Sequence, residues 1–214
     1  MRIRPGTWDS IIVKQVLVDN EYGLPADMSG LTVLDIGAHI GSFAVACMRR
    51  YAKRVVCYEP DPENFVLLET NTRETTLERP DCKTDISLVS HAVIGSRVSG
   101  QTGLRRLTEH DFTGGRNTGH VDIFGTSESK NAVFGINIGH VLGGFGSTKI
   151  DLMKIDCEGA EWGIFANGDF SNVCKIVAEL HALPKADHYL LEPFKSMSLL
   201  DLTEQASEQL RKQG

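Results

Sequence analysis

The sequence predicts an α/β fold, a Rossmann-like, doubly wound and mostly parallel sheet, and three observations carry that prediction. Short apolar and β-branched runs recur at residues 31–36, 54–58, 85–93, 150–156 and 175–181, each with the length and texture of a strand buried on both faces. Between the first two runs lie a glycine-bounded turn and an apolar helical stretch, which together make a βαβ unit. Polar residues (Asp35, Glu59, Ser90, His91, Asp156, Glu179 and His181) collect at the ends of these runs. In an open parallel sheet those ends are where ligands bind, beside the point at which strand order reverses.

The elements follow in order. Residues 1–30 form an amino-terminal entry segment. The first strand stops at Gly37, the turn runs to Gly41, and residues 42–48 continue as an apolar helix. The second strand ends at Glu59-Pro60-Asp61-Pro62, and residues 63–71 read as a helix with Pro62 in its first turn. After the third strand, residues 100–147 are rich in glycine and poor in helical periodicity, with a strand-like patch at 120–124. This stretch is expected to be an irregular insertion over the carboxyl edge of the sheet and to select the substrate. Strands four and five follow, Trp162, Phe165 and Phe170 are expected to pack the helix between them, and residues 198–212 read as a polar helix. No internal repeat is visible.

Length and composition set the bounds. A chain of 214 residues suits one domain with one substantial core. No apolar run is long enough to cross a bilayer, and the early positive charge of Arg2 and Arg4 is followed by no signal-peptide pattern, so a cytoplasmic location is expected. The five cysteines are odd in number and scattered, which predicts free thiols without a zinc site. A formal net charge of −6 disfavours nucleic acid as partner. The basic group Arg49, Arg50, Lys53 and Arg54 falls at a helix end, where cations suit the dipole and the solvent.

The turn Asp35-Ile36-Gly37-Ala38-His39-Ile40-Gly41 carries the chemistry. A dinucleotide site prefers Gly-x-Gly-x-x-Gly and exposed amides for a pyrophosphate. Here an acid precedes Gly-x-x-x-Gly, and a carboxylate suits a ligand bearing an ammonium and a sulfonium. Glu59, at the end of the next strand, can accept hydrogen bonds from the two hydroxyls of a ribose, with Pro60 beside it. Ala38 and His39 are expected to lend backbone contacts, His39 as a turn residue and not as a base.

Three stretches resemble the FkbM family of S-adenosylmethionine (SAM)-dependent methyltransferases. They are Val33-Leu34-Asp35-Ile36-Gly37-Ala38-His39-Ile40-Gly41-Ser42-Phe43, then Ile150-Asp151-Leu152-Met153-Lys154-Ile155-Asp156-Cys157-Glu158-Gly159-Ala160-Glu161, and Ile176-Val177-Ala178-Glu179-Leu180-His181. Arg4-Pro5-Gly6-Thr7-Trp8-Asp9 resembles the family's amino-terminal segment, so the likeness runs from about residue 4 to residue 181. The resemblance implies a class I methyltransferase sheet, SAM as cofactor, and O-methylation of hydroxyls on sugars, polyketides or related metabolites. By the same resemblance Asp35, Gly37 and Gly41 line the methionine end, Glu59 the ribose, and Ser90, His91 and Ala92 the adenine. The chain departs from the family in having His39 where Asn is usual. It also offers no two further strands after His181, which implies a sheet truncated at its carboxyl-terminal edge.

Methyl transfer to an alcohol needs alignment, exclusion of water and a group that takes the hydroxyl proton. Asp156, Glu158, Glu161, Glu179 and His181 are the catalytic candidates. Glu179 and His181, two apart on a strand, share a face, so the carboxylate can orient the imidazole, and His181 is the preferred base. Lys154 is expected to pair with a carboxylate. The acids could also hold magnesium, but the proton-transfer role is preferred and no metal is expected. The expected partner is a small hydroxylated acceptor, with no membrane; the pattern also allows a homo-oligomer. A nicotinamide-dependent oxidoreductase is disfavoured by the missing third glycine, and a non-catalytic SAM-binding module remains as the other alternative.

Overall fold

The computed structural model describes residues 1–95, 100–106, 121–125 and 132–181. Its centre is a five-stranded, wholly parallel sheet built from β1 (Thr32–Ile36), β2 (Arg54–Tyr58), β3 (Asp85–Val89), β8 (Leu152–Ile155) and β9 (Ile176–Ala178), in the order β3-β2-β1-β8-β9. Strand order reverses between β1 and β8, so the crevice of a doubly wound sheet opens above Ile36 and Ile155. β1 is buried at every position, as a continuous apolar run requires. Its side chains alternate between two cores: Val33 joins Phe43, Ala44 and Leu68, whereas Leu34 and Ile36 join Ile138, Ile164 and Phe165.

Helices α2 (Ser42–Arg49) and α3 (Pro62–Glu78) follow β1 and β2. Asp61 caps α3: its Oδ1 accepts from the N–H groups of Glu63 and Asn64 at 2.9 and 3.0 Å, and Pro62 takes the first turn. The helix therefore runs further than residues 63–71 suggested. The basic residues at the end of α2 serve structure: Arg50 donates to the Ala46 carbonyl at 3.0 Å, and Arg54 lies 3.5 Å from Asp85.

Two expectations need correction. The single strand foreseen over 85–93 is two strands in two sheets. β3 ends at Val89, the chain bends at Ser90 and His91, and β4 (Ala92–Ile94) pairs instead with β7 (Ala132–Asn137). The bend is anchored by the His91 ring edge-on to Phe134 at 5.1 Å and by the burial of Ala92 and Val93. The stretch 100–147 is also more regular than its glycine content implied, with β5 (Gly100–Arg106), β6 (Val121–Gly125), β7 and the helix α4 (Ile138–Gly143). With β4 these strands make a second sheet, ordered β4-β7-β5-β6. The chain leaving β4 crosses α5 (Glu161–Asn167) at Gly95, where a Cβ would lie 1.9 Å from the Gly163 carbonyl carbon, so the crossing demands glycine. Trp162, Phe165 and Phe170 are buried around α5 as expected. The polar helix foreseen over 198–212 and the truncated edge beyond His181 lie outside the described residues.

The amino-terminal segment holds an element that periodicity did not reveal, α1 (Asp9–Leu17). Only Asp9 and Val16 are fully buried in it. Asp9 receives a bidentate pair from Arg4, Nε at 2.9 Å and Nη2 at 3.1 Å. Asn71, wholly buried on α3, accepts from the Arg2 N–H and donates to the carbonyls of Arg2 and Ile40. Removing Asp9 leaves the largely buried Arg4 without its counter-charge, so Asp9→Ala is expected to destabilise the fold by about 3 kcal/mol. Thermal unfolding of the variant checks this; an unchanged midpoint overturns it. Among the described residues no helix is long and apolar enough to cross a membrane.

Candidate functional site

A cavity of about 360 Å³ opens at the carboxyl ends of β1, β2, β8 and β9. Its floor is the turn after β1. The N–H groups of Gly37 and Ala38 both donate to the Tyr58 carbonyl, at 2.9 and 3.0 Å, which ties the turn to the end of β2. Gly37 has φ +79°, and a Cβ there would stand 1.7 Å from the Asp156 carbonyl oxygen. This is a close backbone crossing that only glycine permits. Gly41, with φ +89°, packs against Leu68 and lies behind the floor.

Glu59 faces the cavity while nearly buried. Its Oε2 accepts the His39 N–H at 2.7 Å, and its Oε1 accepts the Asp61 N–H at 2.9 Å. Burial pushes its carboxyl up to about 7, against the pull of those amides. His39 sits in the left-handed region at φ +51° and spends its N–H on Glu59, the backbone role its turn position suggested. Burial holds its ring down at about 4, so the ring is neutral. Arg4 Nη2 lies 3.3 Å from Nε2 and can only donate, which makes Nε2 the acceptor.

Asp35 is placed differently from its expected grip on the ligand. It is wholly buried and does not line the cavity. In the sheet it stands beside Lys154, whose Nζ is 3.4 Å from Asp35 Oδ1 and 3.3 Å from Asp156 Oδ2 and donates to the Gly37 carbonyl at 2.6 Å. Burial alone would lower the Lys154 pKa; Asp156 and Asp35 outweigh it and hold the ammonium charged. Asp35 thus acts from behind the wall, through Lys154, on the floor and on Asp156. This is the carboxylate pairing expected of Lys154.

At the other end of the cavity stand Asp156, Glu158, Glu179 and His181. β9 ends at Ala178, so Glu179 and His181 follow the strand instead of lying on it, and the chain beyond it brings His181 Nε2 to 3.7 Å from Glu179 Oε1. The His181 ring is ringed by acids: Nδ1 is 3.1 Å from Glu161 Oε1, and Nε2 is 3.5 Å from Glu158 and 3.7 Å from Glu179. Burial opposes its charge, but the Glu161 hydrogen bond and the Glu158 charge push it up to about 9. Burial likewise raises Glu158 to about 8, with His181 pulling the other way. At neutral pH the imidazole therefore carries a proton, and it must release that proton before it can act as a base. Asp156, Glu179 and His181 each offer one metal-ligand atom within 4.8 Å of the others.

The structure brings Gly37, Ala38, His39, Glu59, Pro60, Ala92, Asp156, Glu158, Glu179 and His181 around one cavity, while Asp35, Gly41, Ser90 and His91 stand outside its lining. The model of the FkbM methyltransferase domain matches residues 35–201. The chain belongs to the FkbM methyltransferase family. No curated protein matches it. Among solved structures it is similar to a putative RNA methyltransferase from Pyrococcus horikoshii, at 12% identity and a TM-score of 0.35, over 85% of this chain and 61% of that one. The chain thus spans less than two thirds of that relative's length.

S-adenosylmethionine is the methyl donor of the FkbM family, and the cavity fits it. The floor has no side chain at Gly37, and the Glu59 carboxylate lines the cavity as a hydrogen-bond acceptor. The Ser42 hydroxyl, at the start of α2, lines the cavity and is buried without a hydrogen-bond partner, so a ligand group can satisfy it. Sequence reasoning missed Ser42, although it adjoins Gly41. It also missed the amino-terminal wall of Trp8, Ile12, Gln15, Glu21 and Tyr22. The signal was there in Trp8, Ile12 and Val16, which are spaced four apart. Among the described residues none of 100–147 lines the cavity.

Proposed function

We propose that this FkbM methyltransferase transfers a methyl group from S-adenosylmethionine to a hydroxyl oxygen of a small acceptor such as a sugar, a polyketide or a related metabolite. The observation that carries the reading is one cavity with two chemically distinct ends. Glu59 marks the end that takes a ribose, and the Asp156, Glu158, Glu179 and His181 cluster marks the end that takes the acceptor. When bound, the cofactor supplies a methyl on a positively charged sulfur that departs as a neutral thioether.

The chain's own residues then have three tasks. Glu59 accepts from the sugar hydroxyls with the lone pairs its backbone donors leave open, and Pro60, Ala92 and Val93 wall that end. Gly37 and Ala38 let the ligand lie against the backbone, while the Lys154 contact keeps the Gly37 carbonyl in place. At the acceptor end the hydroxyl oxygen forms the new bond to carbon, and its proton leaves toward the His181 and carboxylate cluster. Tyr22 and Trp8 close the cavity from the amino-terminal side and exclude water.

Calorimetric titration with SAM and with S-adenosylhomocysteine tests the first half, and no heat at high micromolar ligand would remove it. For the second half, turnover is measured on a panel of hydroxylated acceptors. His181→Ala should lower the rate about a hundredfold or more while leaving S-adenosylhomocysteine affinity nearly unchanged. Equal loss of both would assign His181 to structure. Binding without turnover on any acceptor would return a non-catalytic module.

A further inference from the structure

Three carboxylates and an imidazole converge on the acceptor end of the cavity, and the way they are held separates them from an acidic surface patch. Asp156 closes β8, Glu158 stands in the turn before α5, and Glu179 and His181 leave β9. The ligand atoms of Asp156, Glu179 and His181 lie within 4.8 Å of one another, and Glu158 Oε2 is 3.5 Å from the same His181 Nε2.

Behind these donors is a second layer that is not part of the donor set. Glu161, wholly buried, accepts the N–H groups of Cys157 and Gly159, each at 2.7 Å, and is locked by them. Its Oε1 holds His181 Nδ1, and the Trp162 indole donates to the His181 carbonyl at 2.8 Å. With Nδ1 engaged from behind, Nε2 is presented to the other donors. Asp156 is fixed in the same manner: its Oδ2 meets Lys154 at 3.3 Å and accepts from the Tyr22 hydroxyl at 3.3 Å, which leaves Oδ1 for a ligand. A ligating imidazole that gives its other nitrogen to a carboxylate, beside a ligating carboxylate that is itself hydrogen-bonded, is the outer layer metal sites carry.

We propose that Asp156, Glu179 and His181, with Glu158 beside them, form a site for an oxygen-preferring divalent cation of the magnesium or manganese kind. Carboxylate oxygens with one imidazole suit such an ion and leave coordination positions open toward the cavity. The chemistry of the site rests on the methyltransferase reading. The ion would bind the acceptor oxygen opposite Glu59 and orient it toward the methyl group; in that loaded state His181 Nε2 is a ligand to the ion, and Glu158 takes the hydroxyl proton in its place. It would also add positive charge beside Asp156, Glu158 and Glu179, which line the cavity together with Lys154 and His181.

The test is Mn²⁺ titration of the full chain after chelator treatment, without cofactor, following the loss of the free-ion paramagnetic resonance signal. About one equivalent should bind with a dissociation constant below millimolar. Glu179→Gln and His181→Asn should each weaken binding by about tenfold or more. Glu179 is largely exposed, so its variant is expected to fold, and a melting curve verifies this. No binding at millimolar Mn²⁺ overturns the site, as does binding that neither variant changes, which would be an adventitious ion only. S-adenosylhomocysteine titrated into the same metal-free sample keeps the two readings apart. Cofactor binding without Mn²⁺ binding removes the cation site alone, whereas Mn²⁺ binding without cofactor binding leaves the cation site and removes the methyltransferase assignment.

Discussion

Glu59→Gln is expected to weaken S-adenosylhomocysteine binding by about 2 kcal/mol, roughly thirtyfold, the usual worth of a hydrogen bond to a charged group. The carboxylate already accepts from two backbone amides and, at 3.4 Å, from the Asn64 side chain, and it lines the cavity with the acceptor capacity that remains. An amide side chain can replace at most one of those acceptors. The pH dependence gives a second readout. Burial lifts the Glu59 carboxyl from 4.5 to about 7, so it is protonated in slightly acid solution and ionised in slightly alkaline solution. Affinity in the unmodified chain should therefore rise as pH passes upward through about 7, and the Gln variant should lose that rise. The stability sign is opposite: folding favours the protonated acid, so Glu59's contribution to stability is full below 4.5 and is lost as pH rises through about 7. Calorimetric titrations between about pH 6 and about pH 8 measure the binding effect. A flat profile with equal affinity in both proteins would mean that Glu59 does not meet the sugar.

Gly37→Ala should be strongly destabilising. The added carbon would stand 1.7 Å from the Asp156 carbonyl oxygen, at a φ of +79° that side chains seldom adopt. Neither partner can yield easily, because the N–H of Gly37 is bound to Tyr58 and that of Asp156 to Ile36. The expected cost is about 4 kcal/mol, which for a chain of this size lowers the melting midpoint by roughly 10 °C. Cofactor binding should fall with it, since the floor of the cavity must move. Gly143, where a Cβ meets nothing within 4 Å, is the control, and Gly143→Ala should melt near the unmodified chain. If Gly37→Ala melts there too and still binds S-adenosylhomocysteine, the crossing at Asp156 is looser than drawn.

Much of the fold was legible because β1, β2 and β8 are buried on both faces. A strand in that setting is apolar at most positions, Asp35 and Lys154 being the paired exceptions, and such runs stand out in any sequence. Glycine at 37 and Asp61-Pro62 before α3 were legible for a similar reason: each answers a local backbone demand. The break at Ser90 and His91 was not, because Ile86, Leu88, Val89 and Val93 read as one continuous strand and neither glycine nor proline interrupts residues 85–93. What splits them is β4's pairing with β7, some forty residues further along the chain. Helix α1 was obscured because only two of its residues are fully buried, so its pattern reduces to the four-residue spacing of Trp8, Ile12 and Val16.

From its sequence alone this chain determined the parallel sheet, the glycine floor, the acid at the end of β2 and the polar ends of β8 and β9, since each depends on neighbours close along the chain. Tertiary structure alone decided which carboxylates reach the cavity. Asp35 and Glu59 lie at the ends of adjacent strands, yet Asp35 is claimed by Lys154 across the sheet, while Glu59 is left facing the cavity. Structure also decided that the fourth wall comes from the amino terminus and that the His181 ring is turned by a glutamate twenty residues before it. Burial and pairing are properties of what lies opposite in space, and a residue's position along the chain does not carry that information.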